Sequence, residues 1–259
     1  VTTDDDLDGK RALVTGAGQG VGEAIARQLA ARGAEVLVND YFAERAEAVV
    51  SGIVADGGRA QPLPFDVTDH ALVHRAFAGA GGVDILVNNA GNAGAEGFGS
   101  TVPFVETTPD DWEKYVAVNL YGVMNCVHAA LPPMIEGRWG RIVTMVSDAA
   151  RTGEARMAAY GAAKAGAAGF CRGVAHEVAR HGVTVNNVAL GTMRTPLTAA
   201  LWDDPERVDQ QRSIMSGYLI RRPGEPDDAA WLVATLVSPR ASWMTGQTIP
   251  VNGGYSFAL

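Results

Sequence analysis

Arg11-Ala-Leu-Val-Thr15-Gly16-Ala17-Gly18-Gln19-Gly20-Val21-Gly22 carries a short apolar run directly into a cluster of glycines. Beyond it, Ile25 and Leu29 recur at helical spacing while Arg27 and Arg32 fall on the other side, so the stretch reads as strand, glycine turn, helix. Glycines at such a junction let backbone N–H groups and the helix dipole approach a pyrophosphate. They also occur in strand-to-helix turns for conformational reasons alone. The spacing is not the G-x-G-x-x-G dinucleotide pattern, because the last two glycines are Gly20 and Gly22.

The same alternation continues outward. A strand over Glu35–Asn39, a helix over Arg45–Ala55, a strand over Ala60–Phe65, a helix over Asp69–Ala78 and a strand over Asp84–Asn88 follow in turn. Thr108-Pro109-Asp110-Asp111 opens a long helix to about Met134, and Arg141–Ser147 is the next strand. A helix carries Tyr160 through Arg180, then strand Val183–Val188 follows. Leu190 to Arg222 breaks the rhythm with Pro196, Pro205 and a polar helical piece over Asp204–Arg212; it reads either as a lid or as a surface elaboration. Pro226-Asp227-Asp228 opens a final helix to Val237, and Gln247–Val251 is the last strand. Strands alternating with helices in this way imply right-handed crossovers and a doubly wound parallel sheet with helices on both faces, an α/β fold.

A chain of 259 residues with 47% hydrophobic residues can bury a large core, and with no linker visible it is expected to be one domain over 1–259. The net charge of -8 without a basic cluster excludes nucleic acid and acidic membrane surfaces as expected partners. No apolar run approaches membrane-spanning length, and Asp4, Asp5 and Asp6 read as a solvated tail, so a cytoplasmic location is expected. Cys126 and Cys171 read as buried thiols of a reducing compartment. His70 and His74, four apart on a helix, read as solvent-facing for want of a third ligand, so no metal is expected. Arg138 and Arg141 mark a strand entrance, and packing is the default for Trp112, Trp139, Trp202, Trp231 and Trp243.

Two constellations carry chemistry. Asp40, 18 residues beyond Gly22 at the end of the second strand, stands where an acid bonds a ribose 2'-hydroxyl. A carboxylate there repels a 2'-phosphate, and neither Gln19 nor Tyr41 offers a compensating charge, so NAD is expected over NADP. Tyr160 and Lys164, four apart on a helix, hold a phenol near an ammonium. Bringing a phenol to neutrality needs roughly 3 pKa units, about 4 kcal/mol. A cation about 4 Å away supplies on the order of 4 kcal/mol at an effective dielectric of 20.

Thr15-Gly-x-x-x-Gly-x-Gly22, Asn88-Asn-Ala-Gly91, Asn119, Ser147 and Tyr160-x-x-x-Lys164 together resemble the classical short-chain dehydrogenase/reductase family, in order and over Gly9 to Gly254. The resemblance implies a Rossmann-like fold in which Tyr160 moves a proton to or from the substrate oxygen. It implies that Lys164 lowers the phenol pKa and holds the nicotinamide ribose. Ser147 would orient the same oxygen, and Asn119 would hold a proton-relaying water, although alone it could be a helix–helix hydrogen bond. Gly16, Gln19, Gly20, Val21, Gly22 and Asp40 would bind the cofactor, with Asp66 and Val67 at the adenine. Asn88, Ala90 and Gly91 would lie along it and pin neighbouring strands, with Gly191 and Thr195 at the nicotinamide. Leu190 replaces the family's usual proline before Gly191, which should loosen the loop, and Asn252 replaces a frequent aspartate.

The implied activity is NAD-dependent interconversion of a secondary alcohol and a ketone by a homotetramer, with the helices of Asn119 and Tyr160 at one interface. A 3-ketoacyl-thioester reductase is the alternative enzyme, and a non-catalytic dinucleotide sensor the alternative class; the complete Asn119, Ser147, Tyr160, Lys164 set argues against the sensor. Substrate choice is expected from Gly94–Phe104, Asp148–Met157 and a lid over 192–218. Asp148 is expected to point away from substrate or cap a turn. Arg151, Arg156 and Arg194 are expected to meet an anionic group on the substrate.

Overall fold

The computed structural model describes residues 7–91 and 102–257. Asp4, Asp5 and Asp6, and residues 94–101 of the first substrate segment, lie outside the described residues. The chain runs β1 (Arg11–Val14), α1 (Gly20–Ala31), β2 (Glu35–Val38), α2 (Ala43–Ala55), β3 (Arg59–Pro62), α3 (His70–Gly79) and β4 (Ile85–Asn88). It continues through α4 (Pro109–Val116), a π-helical turn (Ala117–Tyr121), α5 (Gly122–Glu136), β5 (Gly140–Ser147), α6 (Ala149–Thr152), α7 (Ala158–Val178) and β6 (Val183–Leu190). α8 (Ala199–Trp202) and α9 (Val208–Met215) occupy the irregular stretch before α10 (Pro226–Leu236) and β7 (Thr248–Val251).

The strands form one seven-stranded sheet, ordered β3-β2-β1-β4-β5-β6-β7, with every pairing parallel. Side chains alternate across it as strand geometry requires. Ala12, Val14, Val36, Val38, Ile85 and Val87 join a core with α1, α2 and α10, while Leu13, Leu37, Leu86 and Ile142 join one with α3, α5 and α7. The strand order reverses between β1 and β4, which opens a crevice at the strands' carboxyl ends.

Local chemistry sets the boundaries. Thr108 and Asp111 form a capping box at α4, and Glu225 with Asp228 does the same at α10. The expected long helix from Pro109 is interrupted at Ala117–Tyr121, where the wider turn carries Asn119. β3 stops at Pro62, three residues short of the expected end. β6 runs two residues longer, because Val146↔Ala189 and Ser147↔Leu190 stay in register. Packing inside the chain is not the role of Trp231 and Trp243, which are 65% and 97% exposed.

A side-chain knot fixes the crevice. The buried Thr15 Oγ1 accepts from the N–H groups of Asn89 and Ala90, both at 3.0 Å, tying the end of β1 to the end of β4. Asn89 Nδ2 returns two bonds, to Thr15 O at 3.0 Å and Gly16 O at 2.9 Å. Thr15→Val keeps the shape and leaves two N–H groups without an acceptor, each costing about 1–3 kcal/mol. Thr15→Val should therefore lose roughly 2–4 kcal/mol in urea unfolding while Thr15→Ser stays near wild type; equal midpoints for the two variants would remove the knot from its assigned role.

Candidate active site

The crevice is a cleft of about 610 Å³, lined from Asp40 and Tyr41 at one end to Ser147 and Tyr160 at the other. Of the residues expected there, Gly16, Gln19, Gly20, Val21, Gly22, Asp40, Asp66, Val67, Ala90, Gly91, Asn119, Ser147, Tyr160, Lys164, Gly191 and Thr195 all line it. Asn88 does not. It is buried beneath the floor, where its Nδ2 donates to Thr144 Oγ1 at 3.2 Å, so it pins β4 to β5 and Asn89 takes the place beside the cleft. Two adjacent asparagines on a strand point to opposite faces, a distinction the motif alone does not draw.

The glycine turn suits a pyrophosphate. α1 begins after Gln19 with no side-chain cap, so its first N–H groups are open to an anion. Gly16 and Gly20 both have φ of +60°, and a side chain on Gly16 would lie 2.8 Å from Ala90 Cα. Across the cleft Thr195 faces Gly20, 3.5 Å from where its Cβ would stand. At the Asp40 end, the carboxylate accepts from Gly18 N and Phe42 N, each at 3.0 Å, leaving lone pairs directed at the cleft wall. Arg45 also lines this end, with its guanidinium 4.4 Å over the Phe42 ring. Gln19 and Tyr41 bring no positive charge here, and Arg45, five residues beyond Asp40, lies outside the two positions weighed from the sequence. An elongated cleft, an open helix N-terminus and an acid at the end of β2 together fit a nicotinamide dinucleotide.

At the proton-transfer end Ser147 and Tyr160 are half-buried, with Lys164 and Asn119 buried behind them. Ser147 closes β5, and its hydroxyl accepts from Ala149 N at 3.2 Å. Burial pushes the Tyr160 phenol up to about 12; the Ser147 hydroxyl acts to lower it and the Glu154 charge raises it further. Lys164 is buried, donates from Nζ to Met145 O at 2.9 Å, and is brought down to about 8 by desolvation. Its Nζ lies 6.0 Å from the Tyr160 ring centroid. The expected lowering of the phenol by a lysine about 4 Å away is corrected: burial, the largest influence on the phenol, raises it. Asn119 is fully buried on the π-helical turn and donates from Nδ2 to Tyr115 O at 3.0 Å. Gly91 lies against both groups: a Cβ there would stand 2.8 Å from Asn119 Oδ1 and 3.1 Å from Lys164 Nζ.

Two of the three arginines assigned to an anionic substrate are engaged elsewhere. Arg151 reaches Asp148 Oδ1 and Ser256 Oγ, each at 2.9 Å, and Phe257 O at 2.8 Å. Arg194 pairs with Asp203 at 2.5 Å and Glu225 at 3.9 Å. Arg156 is exposed in a left-handed turn with φ of 66°. Asp148 does point away from the cleft, as expected. It is buried and receives Asn252 Nδ2 at 2.5 Å and Ser256 Oγ at 3.1 Å as well as Arg151. Asn252 thus brings an amide donor to Asp148, where a carboxylate would set two anions together.

The Leu190–Gly191 junction is not loosened by the missing proline. Gly191 N donates to Val251 O at 3.1 Å and Leu190 O accepts from Asp148 N at 3.0 Å, so the ladder supplies the restraint. Cys126 and Cys171 are buried, with thiols raised by desolvation to about 12 and about 11. His70 is exposed and His74 half-buried, and His128 on α5, not weighed from the sequence, stands beside them.

Residues 16–256 match the family described as enoyl-(acyl carrier protein) reductase. The 3-oxoacyl-(acyl-carrier-protein) reductase FabG of Salmonella typhimurium is 39% identical over 252 residues, 96% of this chain and 98% of that protein. A gluconate 5-dehydrogenase from Burkholderia cenocepacia, in complex with NADP and tartrate, matches with a TM-score of 0.88 and 33% identity over 100% of both chains. A 3-oxoacyl-(acyl-carrier protein) reductase from Brucella melitensis with bound NAD matches with a TM-score of 0.88 and 32% identity, over 99% of this chain and 94% of that one. Among the described residues no helix is long and apolar enough to cross a membrane.

The lysine makes stability depend on pH in a definite direction. Its folded pKa of about 8 lies below the usual 10.5, so its contribution is complete above 10.5 and is lost as pH falls through 8. Relative to Lys164→Met, wild type should therefore gain roughly 2–3 kcal/mol of unfolding free energy between pH 7 and pH 10. A pH-independent difference between the two in urea titrations would contradict a desolvated ammonium.

Proposed function

The chain belongs to the short-chain dehydrogenase/reductase family of oxidoreductases, and from that premise we propose that it interconverts a secondary alcohol and a ketone with NAD. The supporting observation is that Ser147, Tyr160, Lys164 and Asn119 share one cleft with the glycine turn and Asp40. A bound nicotinamide would supply or accept the hydride. In reduction Tyr160 donates its proton to the substrate oxygen, and burial keeps it in the protonated form this needs. Ser147 bonds the same oxygen and sets its distance from the phenol. Lys164 holds ribose hydroxyls and, with Asn119 beside it over Gly91, gives the proton a route away from the phenol. The segment 192–218 acts as the lid of a single domain.

Asp40 supports NAD over NADP, because its carboxylate faces the cleft while Arg45 is turned onto the Phe42 ring. A 3-ketoacyl thioester is the second substrate reading, supported by likeness to the reductases of Salmonella typhimurium and Brucella melitensis, the latter with NAD. A homotetramer in the cytoplasm remains the assembly and location of this reading, and the exposed Trp231 and Trp243 are available to a subunit contact.

Initial rates of NAD reduction across cyclic and acyclic secondary alcohols test the chemistry. Tyr160→Phe should lower kcat at least about 100-fold with the fold intact; equal rates in both proteins would overturn the assignment. Cofactor choice is read separately. Asp40→Ala should raise kcat/KM for NADPH relative to NADH by about tenfold or more, the equivalent of about 1.4 kcal/mol, whereas an unchanged ratio would leave Asp40 without its role.

A further inference from the structure

Outside the cleft, three histidines from two helices converge. His70 and His74 stand one turn apart on α3, and His128 projects from α5, the neighbouring helix. Their available ligand nitrogens all lie within 4.8 Å of one another, and His128 Nδ1 is 3.0 Å from His74 Nε2. The ring centroids are separated by 4.4 Å, 5.0 Å and 5.8 Å. We propose that His70, His74 and His128 form a binding site for a late first-row divalent metal ion, of which Zn²⁺ is the probe.

The distances are close to what such an ion requires. With metal–nitrogen bonds of about 2.0–2.1 Å in tetrahedral geometry, ligand nitrogens stand about 3.3 Å apart. The His74–His128 pair is already at 3.0 Å. The remaining closure, from at most 4.8 Å, is within the reach of imidazole rotation on residues that are exposed or half-buried. An N···N contact this short needs a lone pair on one ring facing the N–H of the other, which keeps at least one of the two neutral. Neutral imidazole is the metal-binding form.

The frame holding the rings does not depend on them. Asn125, one turn before His128 on α5, donates from Nδ2 to Val67 O at 3.0 Å, just ahead of α3. Asp69 caps α3 by accepting from Leu72 N at 2.9 Å. The two helices are thus in register before a metal arrives, which spares binding an ordering cost. An all-imidazole set selects zinc, copper, nickel or cobalt over magnesium and calcium. Among the described residues three protein ligands meet here, so water completes the shell and the ion clamps α3 to α5.

The test uses the full chain, freed of any histidine tag and stripped with chelator, titrated with ZnCl₂ by calorimetry and with Co²⁺ by visible absorption. One ion per chain is expected, with Kd below about 10 µM and a tetrahedral cobalt spectrum. At zinc concentrations about 100 times Kd, Tm should rise by about 5–10 °C. His74→Gln and His128→Gln should each weaken binding at least about tenfold, and the triple variant with His70→Gln should lose it. These variants should keep wild-type Tm without metal and wild-type turnover, which separates loss of ligands from misfolding and from any failure of the assigned oxidoreductase chemistry. No binding at 100 µM zinc, or undiminished affinity in the triple variant, would overturn the site.

Discussion

The hydroxyl of Thr15 is the constraint on which the cleft depends. It accepts two main-chain N–H groups from the segment after β4, and Asn89 answers with two bonds to the carbonyls at Thr15 and Gly16. β1 and β4 are the strands between which the sheet changes direction, so their exits would diverge without a tie. The tie also explains the glycines. With the two exits held together, a side chain on Gly16 would stand 2.8 Å from Ala90 Cα, and one on Gly22 would stand 2.4 Å from Asn89 Nδ2. Small residues in the turn are thus a packing requirement of the knot, and an approach path for phosphate follows from the same geometry.

The α/β alternation was legible because each helix buries one stripe and each strand a continuous apolar run, patterns that survive in sequence. The strand run Val36-Leu37-Val38 and the helical spacing of Ile25 and Leu29 needed no tertiary information. That Tyr160, Lys164, Asn119 and Ser147 belong together was legible from their spacing and order, and all four line the one cleft. What sequence did not carry was partnership between distant positions. Asp148 and Asn252 looked like separate oddities, yet they bond each other across the chain and with Ser256 and Arg151 form one buried polar network. Arg45 and His128 were missed for the same reason: each acquires meaning from a side chain on another element.

Tyr160 and Lys164 show how environment can override spacing. The i, i+4 relation does bring them together, but enclosure acts on both and in opposite senses, driving the phenol up to about 12 and the ammonium down to about 8. Both shifts favour uncharged groups, as desolvation requires. Enclosing the Lys164 ammonium, with its bond to the Met145 carbonyl, costs stability whenever the group is charged. A phenol near 12 is almost wholly protonated at neutral pH, so a proton to donate is always present while the phenolate that could accept one is scarce. Of the two neighbours that act on the phenol, the Ser147 hydroxyl works to lower it and the Glu154 charge to raise it, so the serine alone opposes the effect of burial.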